Sequence, residues 1–153
     1  MPVLRAITRR RNPALAVAML VVYAVALVGC DGAPSSTAKA TTIDVTMHDF
    51  GIRVSRRTVP AGTIVLHATN RGPSTHELNV DRSRYTAAKI PLQTDGITAN
   101  ESAKGLHRVD SIEQLNLHHT GDLTVQLRPG RYVLWCNLEG HYLGGMYETF
   151  DVR

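Results

Sequence analysis

The chain has 153 residues, enough for one small domain and a leader. Its 17 lysines and arginines outnumber 13 acidic residues, but Arg5, Arg9, Arg10 and Arg11 all precede Cys30. Past that cysteine the balance is 13 against 13, a formal charge near zero, and nothing in it points to nucleic acid.

Residues 1–30 have the layout of an export signal. The four arginines form a basic start, and Ala14 to Val28 is an uncharged apolar run of about 15 residues. A membrane span needs roughly 20 residues, whereas a signal-peptide core is of this shorter length. The run ends in Leu27-Val28-Gly29-Cys30, which looks like a bacterial lipobox. Lipidation at Cys30 is therefore expected, with an exported protein held by its lipid to the outer face of the cytoplasmic membrane or in the periplasm. Cys136 is then left without an intrachain partner, which excludes a disulfide framework and asks for another use of the thiol.

Asp31 to Thr42 is small, polar and aperiodic, and is expected to be a flexible tether of roughly 20 Å root-mean-square span. The domain is expected over 43–153. Ile43–Phe50 alternates, with Ile43, Val45 and Met47 on one face. Thr63–Asn70, His76–Val80, Asp122–Leu127, Arg131–Cys136 and Met146–Val152 follow as strands between Pro/Gly turns. Asp81 to His119 is irregular, with a short helix expected near Thr86–Lys89 or Ser111–Leu117. The pattern is that of an all-β sandwich or barrel.

Alternation along Arg131–Cys136 puts Tyr132, Leu134 and Cys136 on one face and Val133 and Trp135 on the other. Cys136 thus points inward at a strand end, and His141 and Met146 follow on the loop that returns into the last strand. Thiolate, imidazole and thioether converging at one end of a sandwich can hold a single metal ion, and soft sulfur donors favour copper. A second histidine is needed. His76, which follows a turn and opens its strand, suits the part best. His48 and His67 fall inside strand patterns, and His107, His118 and His119 fall in the irregular stretch.

Gly130-Arg131-Tyr132-Val133-Leu134-Trp135-Cys136, followed by His141 and Met146, closely resembles the C-terminal signature of the cupredoxins. The Cys-x4-His-x4-Met spacing exceeds plastocyanin's between Cys and His and is similar to that of rusticyanin and auracyanin. The Val59-Pro60-Ala61-Gly62 turn and the Asn70-Arg71-Gly72 strand end ahead of His76 match as well. The resemblance implies a Greek-key β-sandwich of seven or eight strands. It also implies one type 1 copper ion, with His76, Cys136 and His141 as equatorial ligands and Met146 as axial ligand. It further implies supporting roles for Asn70 and for Asn137, which is expected to donate to the cysteine sulfur. By the same likeness His141 is the ligand nearest the surface, ringed by Leu138, Tyr142, Leu143, Gly144 and Gly145.

The sequence has no His-x-His pairs for a trinuclear cluster, one loop cysteine instead of two, and no nucleophile–base set, so enzymatic turnover is not expected. Two functions remain: a membrane-tethered one-electron carrier between redox partner proteins, or a protein that stores, buffers or delivers copper.

Overall fold

Strict alternation places the first strand. In β1 (Thr41–His48) Ile43, Val45 and Met47 are fully buried, while Thr42, Asp44 and His48 face solvent. The computed structural model describes residues 39–153, so the expected leader, its Cys30 and most of the expected tether lie outside the described residues. The tether ends earlier than expected, because Thr41 and Thr42 already belong to β1.

Two sheets form the sandwich. The first runs β2 (Gly51–Val54), β1, β4 (Gly62–Asn70), β7 (Thr120–Leu127), with β1 and β4 parallel. The second runs β3 (Thr58–Val59), β9 (Tyr147–Val152), β8 (Gly130–Trp135), β5 (His76–Ser83), β6 (Leu106–Leu115), with β3 and β9 parallel. Between them lies one core, where Ile43, Ile64 and Leu66 meet Leu78, Leu134 and Phe150. Fold class thus agrees with the sequence.

Strand count does not. Nine strands are present among the described residues, against the seven or eight that the resemblance implied; β2, β3 and β6 lie outside the six segments read as strands from the pattern. β6 escapes a reading by pattern because it is an edge strand, exposed along most of its length and bulged twice against β5. Its residues Ser111–Leu115 occupy the place where a helix was one expectation. The other expectation holds in reduced form, as a single 3-10 turn at Ala87–Lys89.

The irregular stretch has a packing role. On the outer face of β8, Val133 and Trp135 are as buried as Leu134 on the inner face. Ala87, Ile90, Ala99, Ala103 and Leu106 cover them, together with Tyr142 from the last loop. Segment 84–105 is therefore a third, non-regular layer. Inside it the Trp135 indole N–H donates to Asp81 Oδ2 at 2.7 Å, and Arg108 Nε donates to Asp81 Oδ1 at 3.2 Å. Burial pushes the Asp81 carboxyl up, and these two donors oppose the shift. Among the described residues no helix is long and apolar enough to cross a membrane.

Trp135→Phe keeps most of the ring but strands a buried carboxylate oxygen. The expected loss is about 1–3 kcal/mol of unfolding free energy, read from urea denaturation against the parent protein.

Candidate metal centre

Register brings the donors together. β5 pairs antiparallel with β8, Asn79 opposite Trp135, so the start of β5 lies beside the end of β8. His76 opens one and Cys136 follows the other; both are completely buried. The loop after Cys136 folds back through short turns, with the amides of His141, Gly144 and Gly145 donating to the carbonyls of Leu138, Gly140 and Tyr142. Met146 closes it. Its carbonyl accepts from the Cys136 amide at 3.1 Å, and its own amide donates to the His141 carbonyl at 3.0 Å.

One donor atom from each of His76, Cys136 and His141 lies within 4.8 Å of the others. His141 Nδ1 stands 3.3 Å from His76 Nδ1 and 3.4 Å from Cys136 Sγ. Imidazole and thiolate bonds to a d-block ion of about 2.0–2.3 Å require donors separated by roughly 3.3–3.8 Å. The three sites fit one ion. Met146 is fully buried at the same strand end and supplies a thioether to the set. Two imidazoles, one thiolate and a thioether are a soft donor set suited to copper. Among the described residues no other group of His, Cys, Asp and Glu side chains has this spacing.

Burial pushes the Cys136 thiol up to about 11, while the amides of Glu77 and Leu138 pull it the other way. The thiol is therefore protonated at neutral pH until a cation replaces its proton. The Glu77 amide nitrogen lies 3.5 Å from Sγ. His76 is held below its ordinary value by burial and by the neighbouring His141, which keeps its ring neutral and able to ligate.

The supporting residues differ in part from expectation. Asn70 does fix the turn ahead of His76: its Nδ2 donates to the carbonyls of Ser74 and Leu115, and its Oδ1 accepts from the Gly72 amide. Asn137 does not reach the sulfur. Its side chain is turned outward, accepting from the Ala99 amide and donating to the Ala99 carbonyl and Glu101. That amide ties the ligand loop to segment 84–105. Tyr142 is likewise a tie and not part of a surface rim, being buried with its hydroxyl donating to the Ala87 carbonyl and accepting from the Ile90 amide.

Three contributors were not read from the sequence. Glu77 Oε1 accepts from the Asn137 amide at 2.5 Å and from Asn79 Nδ2, clamping the residue after the cysteine to β5. Asp49 Oδ1 stands 3.2 Å from His76 Nε2, but off the line of a hydrogen bond, so that buried nitrogen has no well-aligned partner. Burial raises the Asp49 carboxyl, yet the Ser74 hydroxyl and amide and the two histidines hold it below its ordinary value. Phe50 meets the His141 ring edge-on at 5.7 Å. Both Asp49 and Phe50 sit in the turn after β1, distant in sequence from every ligand; an acid or aromatic there carries no spacing signal. Glu77 had one available signal, a charged side chain directly after an inward-pointing histidine.

Glycines permit these approaches. A Cβ on Gly72 would lie 2.6 Å from Asp49 Oδ1 and 2.9 Å from His76 Nε2, and one on Gly144 would overlap the Phe50 ring. The remaining histidines stay apart: His67 pairs with Asp122 on the surface, and His48, His107, His118 and His119 are exposed.

No protein-family model matches the sequence, and no curated protein matches it. Solved structures do match in shape. Auracyanin from Roseiflexus castenholzii is 22% identical over 74% of this chain and 97% of its own, with a TM-score of 0.55. Rusticyanin from Thiobacillus ferrooxidans is 14% identical over 76% of this chain and 79% of its own, also at 0.55. Auracyanin A from Chloroflexus aurantiacus, a "blue" copper protein, is 18% identical over 75% of this chain and 100% of its own, at 0.50. The chain has the cupredoxin fold. Within that fold it is similar to auracyanins and rusticyanins, whose Cys-to-His spacing the sequence also suggested.

Gly72→Ala, by pushing Asp49 and His76 apart, is expected to weaken metal binding on the order of 10–100-fold, measured by chelator competition. Far-ultraviolet circular dichroism should stay unchanged.

Proposed function

We propose that the protein is a mononuclear type 1 copper protein acting as a one-electron carrier outside the cytoplasm, tethered to a membrane through lipidated Cys30. The observation that carries this reading is the preformed cluster of His76, Cys136 and His141, with the buried Met146 hydrogen-bonded through its carbonyl to the Cys136 amide. Copper bound there would supply a one-electron Cu(I)/Cu(II) couple. The residues' contribution is rigidity. Glu77 clamps the cysteine end, Asn70 the His76 turn, and Tyr142 the loop, so the donors have little freedom to rearrange when the charge changes. Little rearrangement means a small barrier to moving an electron. The same burial disfavours storage or delivery, which need an open site and easy exchange.

His141 is the ligand that is partly exposed, and apolar side chains lie near it: Phe50 and Leu143, each about half exposed, and Leu138. Such a rim suits brief docking with a redox partner protein, because apolar contact without charge pairing forms and separates quickly. The similar auracyanins and rusticyanin, known in reduced forms and, for auracyanin A, as a "blue" copper protein, support the reading. We read no enzymatic turnover into the site.

Cu(II) added to the purified protein should produce an intense visible thiolate-to-copper band and an EPR signal with narrow hyperfine splitting. Cys136→Ser should lose both; a colourless parent protein with weak copper binding would overturn the site. Leu143→Asp should leave the band intact yet slow electron exchange between protein molecules on the order of tenfold, by stopped flow. Rapid copper transfer to an acceptor without redox turnover would favour delivery instead.

A further inference from the structure

The near-zero charge of the domain conceals a segregation. Strand registers define two ends. Gly130 pairs with Val152, Ser83 with Leu106, and Gly62 with Leu127, while the Ala61 amide donates to the Arg153 carbonyl. All these belong to the end opposite the metal centre, because β5 runs from His76 to Ser83 across the sandwich. The seven steps from His76 to Ser83, at about 3.3 Å each, separate the two ends by roughly 23 Å.

Cations collect at that far end. Arg82, Arg84 and Arg131 line a shallow pocket of about 250 Å³ together with Ser83, Gly105 and His107. Lys39 and Arg56 line a second one with Ala40, Thr41 and Thr42. Asp151, 3.5 Å from Arg131 Nε, neutralises part of this charge. Among the described residues Arg56, Arg82 and Arg84 pair with no carboxylate. Arg82 instead donates to the Pro129 carbonyl, which holds its guanidinium at the pocket mouth. Near the metal centre the balance reverses: Asp49, Glu77 and Glu139 are there and Glu148 faces Leu134, against Arg71 and, opposite Thr46, Arg53.

The chain also enters the domain at the basic end. Lys39 to Thr42 form part of the second pocket, and the 38 residues before Lys39 contain the apolar run Ala14–Val28 and Cys30. We propose that the basic end is a docking surface for an anionic lipid bilayer, with headgroup phosphates taken by the Arg82–Arg84–His107–Arg131 pocket. Guanidinium groups match phosphate oxygens in pairs, and a negative leaflet attracts clustered cations over about a Debye length, roughly 10 Å at 0.1 M salt. The tether would bring this end to the surface and the charge would keep it there. The metal centre then points away from the membrane, toward partners. The inference takes from the proposed function only how the domain reaches a membrane; the charge distribution is independent of it.

The test uses the full chain with phosphatidylcholine vesicles, with and without phosphatidylglycerol. Flotation reports attachment, and phenylglyoxal labelling resolved by mass spectrometry reports arginine exposure. Labelling of Arg82, Arg84 and Arg131 should fall severalfold on phosphatidylglycerol and recover at high salt, while Arg71 stays reactive. An Arg84→Ser, Arg131→Ser double variant with unchanged circular dichroism should lose the protection of Arg82. Flotation on both vesicles with equal arginine labelling would overturn the docking surface and leave the tether standing. Flotation only with phosphatidylglycerol would support the surface and remove the tether. Equal protection by inorganic phosphate on phosphatidylcholine vesicles would make the pocket a free-anion site and overturn the proposal. Absence of both flotation and protection would overturn both readings.

Discussion

The antiparallel pairing of β5 with β8 is the constraint on which the metal centre rests. It sets the first residue of one strand beside the residue just past the other, and those residues are His76 and Cys136. The pairing is short, from Asn79–Trp135 to Arg82–Tyr132, and it stops before the ligands. Beyond it the strands would be free to splay. Glu77 prevents that, because its carboxylate takes the Asn137 amide and its own amide lies against the sulfur. A backbone joint and a charge-assisted hydrogen bond thus do the work that further ladder bonds would do in an ordinary strand pair.

Placing polar donors at a buried strand end has an energetic side. A buried imidazole nitrogen or thiol sulfur without a partner destabilises the fold. His76 Nε2 is the visible sign of it, buried without a well-aligned acceptor although Asp49 is close by. Around this point the structure compensates through packing. Met47, Leu78, Leu134 and Phe150 fill the core below, and the Trp135 layer closes the outer face.

The sequence revealed what is periodic or chemically rare. β1 and β8 were legible from alternation, and the three donors around one loop were legible because Cys, His and Met seldom share so short a span. His76 required the inference that a fourth donor must open another strand, and the structure places it beside the others. β6 was not legible, since an exposed edge strand lacks the apolar face that alternation detects. Nor was the orientation of Asn137: adjacency to Cys136 suggested the sulfur, but the pleat turns its amide to Ala99. Asp49 and Phe50 were hidden by distance along the chain, and the two charge poles by a net charge that sums to nothing.

The tie between Tyr142 and the carbonyl and amide of segment 87–90 has a further bearing. The ligand loop is not a self-contained cassette. Its midpoint is bolted to a layer some fifty residues upstream, and its first residue to Ala99 and Glu101 in that same layer. Grafting this loop onto another sandwich would move the donors but leave their anchors behind. In this chain, then, the unit that could be inherited or exchanged intact comprises the loop together with the irregular layer it grips.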